Sequence, residues 1–260
     1  MKIKIRDRYR AILLIIMVFY SLFVGLINPA FFSIETVFDL IRTSSTSLMV
    51  VIGLLLVMIS GGIDVSFMAV ALFGSYTTIK IMIAAGIDSL AFAFGLSMLI
   101  GGFLGLINAL LINWLKLPPF IITLGTQSLF HGIMTTFIGD KSFGAGVLPS
   151  CLNKFGQAVL FSFQSDNSRV GLTASVVPIL IVAAVTWFIL YKTMIGRGIV
   201  ALGNSEEAAR RIGFKPSRIR LFVYTYTGLL SGIMGIIYVA QVNALYPNKL
   251  VGDELMVVAA

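Results

Sequence analysis

The residues able to do chemistry in this chain are few and fall in three places. The stretch ISGGIDVSF (59–67) sets Gly61, Gly62, Asp64 and Ser66 between two long apolar runs. Glycines there supply backbone freedom for a break in a helix. Asp64 or Ser66 then caps the helix that follows, or Asp64 lies in a protein-buried break near a gate, paired with a basic residue of the segment 192–220. A second set, Thr123, Gln127, His131 and Thr135, recurs at i, i+4, i+8 and i+12, and so shares one slowly drifting helical face. Such groups suit a path for an uncharged polar solute, or hydrogen bonds between neighbouring helices. The third place is GNSEEAARRIG (203–213). Asn204 or Ser205 can cap a short helix with Glu206 and Glu207 in its first turn and Arg210 and Arg211 in its last. Gly213 then ends it, and Pro216 prevents it from resuming.

Several chemistries are excluded. One Cys and one His rule out an internal disulfide and leave a zinc cluster unsupported. Cys151 reads as a small, inert residue. The chain has no Gly-x-x-x-x-Gly-Lys-Ser/Thr loop and no His-Glu-x-x-His. A Ser/His/Asp catalytic set would have to recruit His131 from inside an apolar run. No bond chemistry is therefore expected of this chain, and no cofactor or metal is expected in it.

The elements that must position these residues are membrane helices. The chain is 58% hydrophobic and 12% charged, with a mean hydropathy of +1.00; a soluble domain carries about 25% charged residues. Apolar runs predict an all-α polytopic protein with spans at roughly 11–27, 44–60, 67–85, 89–115, 120–139, 173–191 and 221–241. A short amphipathic stretch, 33–42, is expected at the interface, and residues 140–172 outside the bilayer core. The run 11–27 is too long for a signal peptide and lacks a small-x-small site, so it reads as an uncleaved first span. Small residues four apart, Gly101, Gly105 and Ala109 in one span and Gly228 and Gly232 in another, predict close helix packing.

The net charge of +8 does not read as a nucleic-acid surface. Five of the 19 Lys and Arg lie in 1–10 and seven in 192–220. Basic residues gathered at the ends of spans mark the cytoplasmic side. A cytoplasmic N-terminus places Lys116 and the 192–220 segment inside, and 140–172 outside. Lys80, within a span, is expected to snorkel toward the outer face. After Asp253 and Glu254 the chain reads LMVVAA, the start of an eighth span.

These motifs, in this order, resemble those of the permease subunits of bacterial ATP-driven importers of the ribose type. Gly61 to Ser66 match that family's Gly-Gly-Ile-Asp-Leu-Ser, with Val65 for Leu. Leu117 to Thr126 match its Leu-Pro-x-Phe-Ile-x-Thr-Leu-Gly-Thr. Gly203, Asn204, Ala208, Ala209 and Gly213 match its main cytoplasmic loop, and Gly252 to Leu255 a later Gly-x-x-x-Glu-Leu pattern. Met68 stands where the family has Gly, and family members continue beyond residue 260.

The resemblance implies one permease domain, 1–260, incomplete at its C-terminus, with a cytoplasmic coupling loop at 193–220 and a large importer fold of about ten spans. It implies a multi-pass protein of the bacterial inner membrane forming a path for a simple sugar such as ribose, galactose or xylose. The partners implied are an ATP-binding protein that holds ATP and Mg, a second permease subunit (the same chain or another), and an extracytoplasmic sugar-binding protein. Residues 203–213, with Glu206, Glu207 and Arg210, would couple to the ATPase. Gly61, Gly62, Asp64 and Ser66 would form the helix break or gate, and Thr123, Gln127, His131 and Thr135 the substrate path. The alternatives are an ion-coupled secondary transporter with Asp64 at its ion site, and an inactive truncated remnant.

Overall fold

The computed structural model describes residues 2–165, 168–249 and 252. Asp253, Glu254, Leu255 and the start of an eighth span lie outside the described residues. The chain begins with α1 (Lys2–Ile27), a 3-10 turn (Pro29–Phe32) and α2 (Ile34–Ile59). Next come α3 (Phe67–Ala85), α4 (Leu90–Leu115) and α5 (Pro119–Ile133), the last running into a π turn (Met134–Ile138). A short α6 (Ser150–Gln157) precedes two strands, β1 (Val159–Ser165) and β2 (Ser168–Thr173). Then follow α7 (Val176–Lys192), α8 (Met194–Asn204), α9 (Glu206–Arg211) and α10 (Pro216–Val242).

The helical membrane architecture holds, with local corrections. Five of these helices, α2, α3, α4, α5 with its π turn, and α10, are long and apolar enough to cross a membrane. The pair α7–α8, bent by 75°, makes a sixth candidate, and the apolar part of α1 is the shorter segment Ala11–Ile27. The expected interfacial stretch 33–42 is not separate: it is the start of α2. Ser33 caps that helix through the Thr36 N–H. The hydroxyls of Thr43 and Ser45 then bond back to the carbonyls of Asp39 and Arg42, so polar side chains are satisfied without leaving the helix. The chain is also not purely helical, because β1 and β2 pair antiparallel at the end of the 140–172 segment, reaching Thr173.

α10 is the central element. It packs on α2, α3, α4, α6 and α8, and its closest partner is α4. The predicted small-residue stripes meet each other there. A Cβ placed on Gly101 would lie 2.3 Å from the Gly228 carbonyl, and one on Gly105 the same distance from the Tyr224 carbonyl. One on Gly232 would lie 2.2 Å from the Ser97 carbonyl. Ser97 Oγ donates to the Gly232 carbonyl at 2.7 Å, and Thr227 Oγ1 to the Gly53 carbonyl of α2 at 3.2 Å. In lipid, where apolar burial gives helices little reason to associate, such backbone approach and interhelical bonds are what hold them. The main core forms around this seam, with Phe67, Leu72, Tyr76, Met234 and Ile237 fully buried.

One end of the bundle is closed by polar ties. Lys80 reaches from α3 to the Ile138 carbonyl, one of the orphan acceptors at the end of the π turn, and Tyr76 Oη donates to the Lys141 carbonyl at 2.9 Å. Asp88, in the turn between α3 and α4, accepts from Ser150 Oγ and from the Cys151 N–H at 2.7 Å, fastening the start of α6. These bonds, Ser150's first, hold the Asp88 carboxyl down at about 2. Burial, with Asp88 beside it, pushes the Cys151 thiol up to about 11, so it stays protonated.

Two outcomes follow. Gly228→Ala should destabilise the chain by about 1–3 kcal/mol through overpacking, read as a lower unfolding temperature in detergent. Gly95→Ala, with nothing within 4 Å of the new methyl, should not. The depressed Asp88 carboxyl contributes to folding fully above about pH 4 and loses that contribution as pH falls through about 2. Amide exchange at Cys151 and Leu152 should therefore quicken, after correction for intrinsic rates, between about pH 5 and about pH 2. Asp88→Ala should remove that pH dependence.

Candidate functional site

The break between α2 and α3 is built by local rules. Gly61 has φ +83°, in the left-handed region; its N–H bonds to the Met58 carbonyl and the Gly62 N–H to the Val57 carbonyl, both at 3.0 Å. This pair of bonds is a Schellman stop, which favours glycine at the position of Gly61. Asp64 is buried, and its Oδ1 accepts from the Ser66 N–H at 2.8 Å and from Ser66 Oγ at 2.7 Å. Bonding two residues ahead makes an Asx turn, not a cap on the first turn of α3. Ser66 is the residue that flanks α3, but its side chain makes no capping bond. The expected ion pair is likewise not formed: among the described residues, no Lys or Arg pairs with Asp64.

The break is held from both sides instead. Asn108 Nδ2, on α4, donates to Ser66 Oγ at 2.7 Å. Thr123, on α5, accepts from the Val65 N–H at 3.3 Å and is 3.4 Å from the Ile63 carbonyl. A Cβ on Gly62 would come within 2.4 Å of the Tyr224 hydroxyl of α10.

The polar segment folds as two short helices rather than one. α7 bends into α8 at Thr193, whose hydroxyl accepts from the Gly196 N–H. α8 ends at Asn204, and Ser205 caps α9 by accepting from the Ala208 N–H at 3.2 Å. Gly213, at φ +92°, ends α9 with a second Schellman stop, its own N–H on Arg210 and that of Phe214 on Ala209. The backbone at Gly203 lies directly on the break: a Cβ there would be 1.8 Å from the Ile59 carbonyl and 3.4 Å from Gly61 N. Two motifs more than 140 residues apart in sequence are thereby in contact.

α9 has two distinct faces. Glu206 accepts from Arg210 at 2.6 Å on the same helix and from Arg220 on the first turns of α10. Those bonds, Arg210's first, keep the Glu206 carboxyl below its ordinary range. Ala209 is buried beneath, while Ala208 is exposed. Glu207 and Arg211 pair with each other on the open face. A cleft of about 700 Å³ opens between α9, the start of α10 and the ends of α4 and α5, lined by Lys116, Glu206, Arg210, Lys215 and Arg220 among others.

The α5 stripe divides. Thr123 is buried on the break. Thr135 bonds back to the His131 carbonyl, within its own helix. His131 Nε2 lies 3.1 Å from the Pro247 carbonyl and from Asn248 Oδ1. Gln127 is half-buried. Sequence reading missed Asn108, Tyr224 and Arg220. Asn108 carried a signal, as an amide in an otherwise apolar span. Arg220 carried none, because its partner lies on a different helix, outside any local spacing rule.

Residues 36–260 match the family model of the branched-chain amino acid transport system / permease component. The chain belongs to this family. The permease is 31% identical over 237 residues to the D-allose transport system permease protein of Escherichia coli, covering 91% of this chain and 69% of that protein. It is 31% identical over 241 residues to the ribose import permease protein of Haemophilus influenzae, covering 91% and 71%. Against the autoinducer 2 import system permease protein of Yersinia pseudotuberculosis it is 29% identical over 259 residues, covering 98% and 68%. No solved structure matches it.

The buried break makes a direct prediction for the permease. Asp64→Asn keeps an acceptor oxygen facing the Ser66 N–H, so the thermal unfolding midpoint should stay near that of the parent. Asp64→Ala leaves the buried Ser66 N–H and Ser66 Oγ–H without their acceptor and should cost about 1–3 kcal/mol, seen as a lower midpoint in the same measurement.

Proposed function

We propose that the chain forms the translocation path for a simple sugar in an ATP-driven importer of the bacterial inner membrane, with its N-terminus in the cytoplasm. The family description names amino acids, but the relatives are named for allose, ribose and autoinducer 2. The α5 stripe favours a neutral substrate, since it offers amide and hydroxyl groups and no carboxylate. Gln127 is its best candidate for direct contact, because Thr123, His131 and Thr135 are each engaged within the protein.

In this reading, residues 193–220 face the cytoplasm and α9 seats in a cleft of a separate ATP-binding protein, which holds ATP and Mg. The chain itself performs no hydrolysis and carries no cofactor. A second permease subunit completes the pore, and an extracytoplasmic sugar-binding protein delivers the substrate. The observation that carries the reading is the double attachment of the 203–213 segment. Glu206 grips Arg220 at the foot of the central helix, and Gly203 rests on the break at Ile59. A push on α9 therefore reaches α10 and the α2–α3 break together, while the Glu207 and Arg211 face stays open for the partner.

Reconstitution with the ATPase and binding protein tests this. Arg220→Gln should leave ATP hydrolysis running while uptake per ATP falls at least about fivefold, the low end of typical coupling energies. Glu207→Lys should instead weaken binding of the ATPase. Unchanged uptake per ATP in Arg220→Gln, with ATPase binding indifferent to Glu207→Lys, would overturn the coupling assignment.

A further inference from the structure

The 192–220 segment uses its carboxylates unevenly. Glu206 and Glu207 take Arg210, Arg211 and Arg220. Lys215 and Arg218 are exposed and form no ion pair among the described residues. Both stand at the rim of a groove of about 360 Å³ between the start of α8 and the first turns of α10. The groove is otherwise apolar, walled by Met194, Phe214, Ile219 and Phe222. Met194 is 62% exposed, so the apolar wall opens to the surroundings.

Its depth in the membrane is marked by the preceding helix. Trp187, Tyr191 and Lys192 end α7, with the Lys192 ammonium 5.6 Å from the Trp187 ring centre. Trp and Tyr gather at the level of lipid headgroups, where lysine reaches for water. The 75° bend at Thr193 then turns α8 aside. The groove begins at this bend, with its cations at one edge and its apolar wall beside them.

We propose that this groove binds an anionic phospholipid of the cytoplasmic leaflet. The phosphate pairs with Lys215 and Arg218, and an acyl chain lies against Met194, Phe214 and Phe222. Charge complementarity selects this occupant, since neither cation forms an ion pair among the described residues, no acidic residue lines the groove, and cationic sites at that depth meet a negatively charged lipid surface. The headgroup would brace Gly213–Lys215, the turn joining α9 to α10. The leaflet assignment rests on the cytoplasmic placement of 193–220 proposed above, while lipid binding itself is read without any transport activity.

The test uses the full chain purified in a neutral detergent, with binding of phosphatidylglycerol and phosphatidylcholine compared by native mass spectrometry. The wild type should prefer phosphatidylglycerol, and K215Q/R218Q should lose that preference by about fivefold per charge removed. Inorganic phosphate should not displace the lipid. M194N, at an exposed position, should weaken phosphatidylglycerol binding while leaving the unfolding midpoint unchanged. Equal binding of the two lipids, or an unaltered preference in K215Q/R218Q, would overturn the proposal. Full displacement by inorganic phosphate would do so too, reducing the site to a simple anion site. If K215Q/R218Q lowers affinity for the ATPase and leaves lipid preference intact, the groove is a protein contact and the lipid assignment fails.

Discussion

The seam between α4 and α10 is the contact on which the other parts depend. Its backbones approach so closely that a methyl on Gly101, Gly105, Gly228 or Gly232 would lie 2.2–2.3 Å from a facing carbonyl. No rotamer relieves such a clash, because the obstacle is backbone on both sides. The four glycines therefore set the distance between the two helices, and with it the position of everything attached to them. α4 carries Asn108 and α10 carries Tyr224 and Arg220, so the same distance also fixes the break and the 203–213 segment.

The loop reaches the membrane helices by two unlike routes. Glu206 and Arg220 form a half-exposed, charge-assisted bond that solvent and salt weaken. Gly203 on Ile59 is a steric contact that salt does not touch. Of the two, only the ion pair is one that salt can weaken.

What the sequence disclosed follows from the range of the forces involved. Gly213 was legible as a helix stop, and Ser205 as a cap, because both act within a few residues. The break at Gly61–Ser66 was legible for the same reason. The glycine stripes predicted close packing but not each other as partners, since spacing describes a face and says nothing of what meets it. Arg220 and Tyr224 were invisible as site residues because their partners come from other helices. The hairpin was missed for a different reason: in a segment expected only to be polar, the alternation of Phe161 and Phe163 with Ser162 and Gln164 went unused. α2 ran longer than expected because hydroxyls at 43 and 45 satisfy themselves on their own helix.

Asp64 is the residue whose meaning changes most between sequence and structure. A buried carboxylate without a basic partner is costly unless hydrogen bonds replace what water supplied. Here Ser66 supplies two donors to one oxygen, and Asn108 holds Ser66 in place. An aspartate kept only to cap α3 would aim at that helix's first-turn N–H groups, and this one does not. An aspartate kept as half of a gate ion pair would pair with a cation, and among the described residues this one pairs with none. Its observed bonds instead tie the three residues of the turn to α4. Thr123 ties the same turn to α5 through Val65. The GGIDVS stretch is therefore a joint: glycine ends one helix, and a buried polar knot fastens the start of the next to two neighbours.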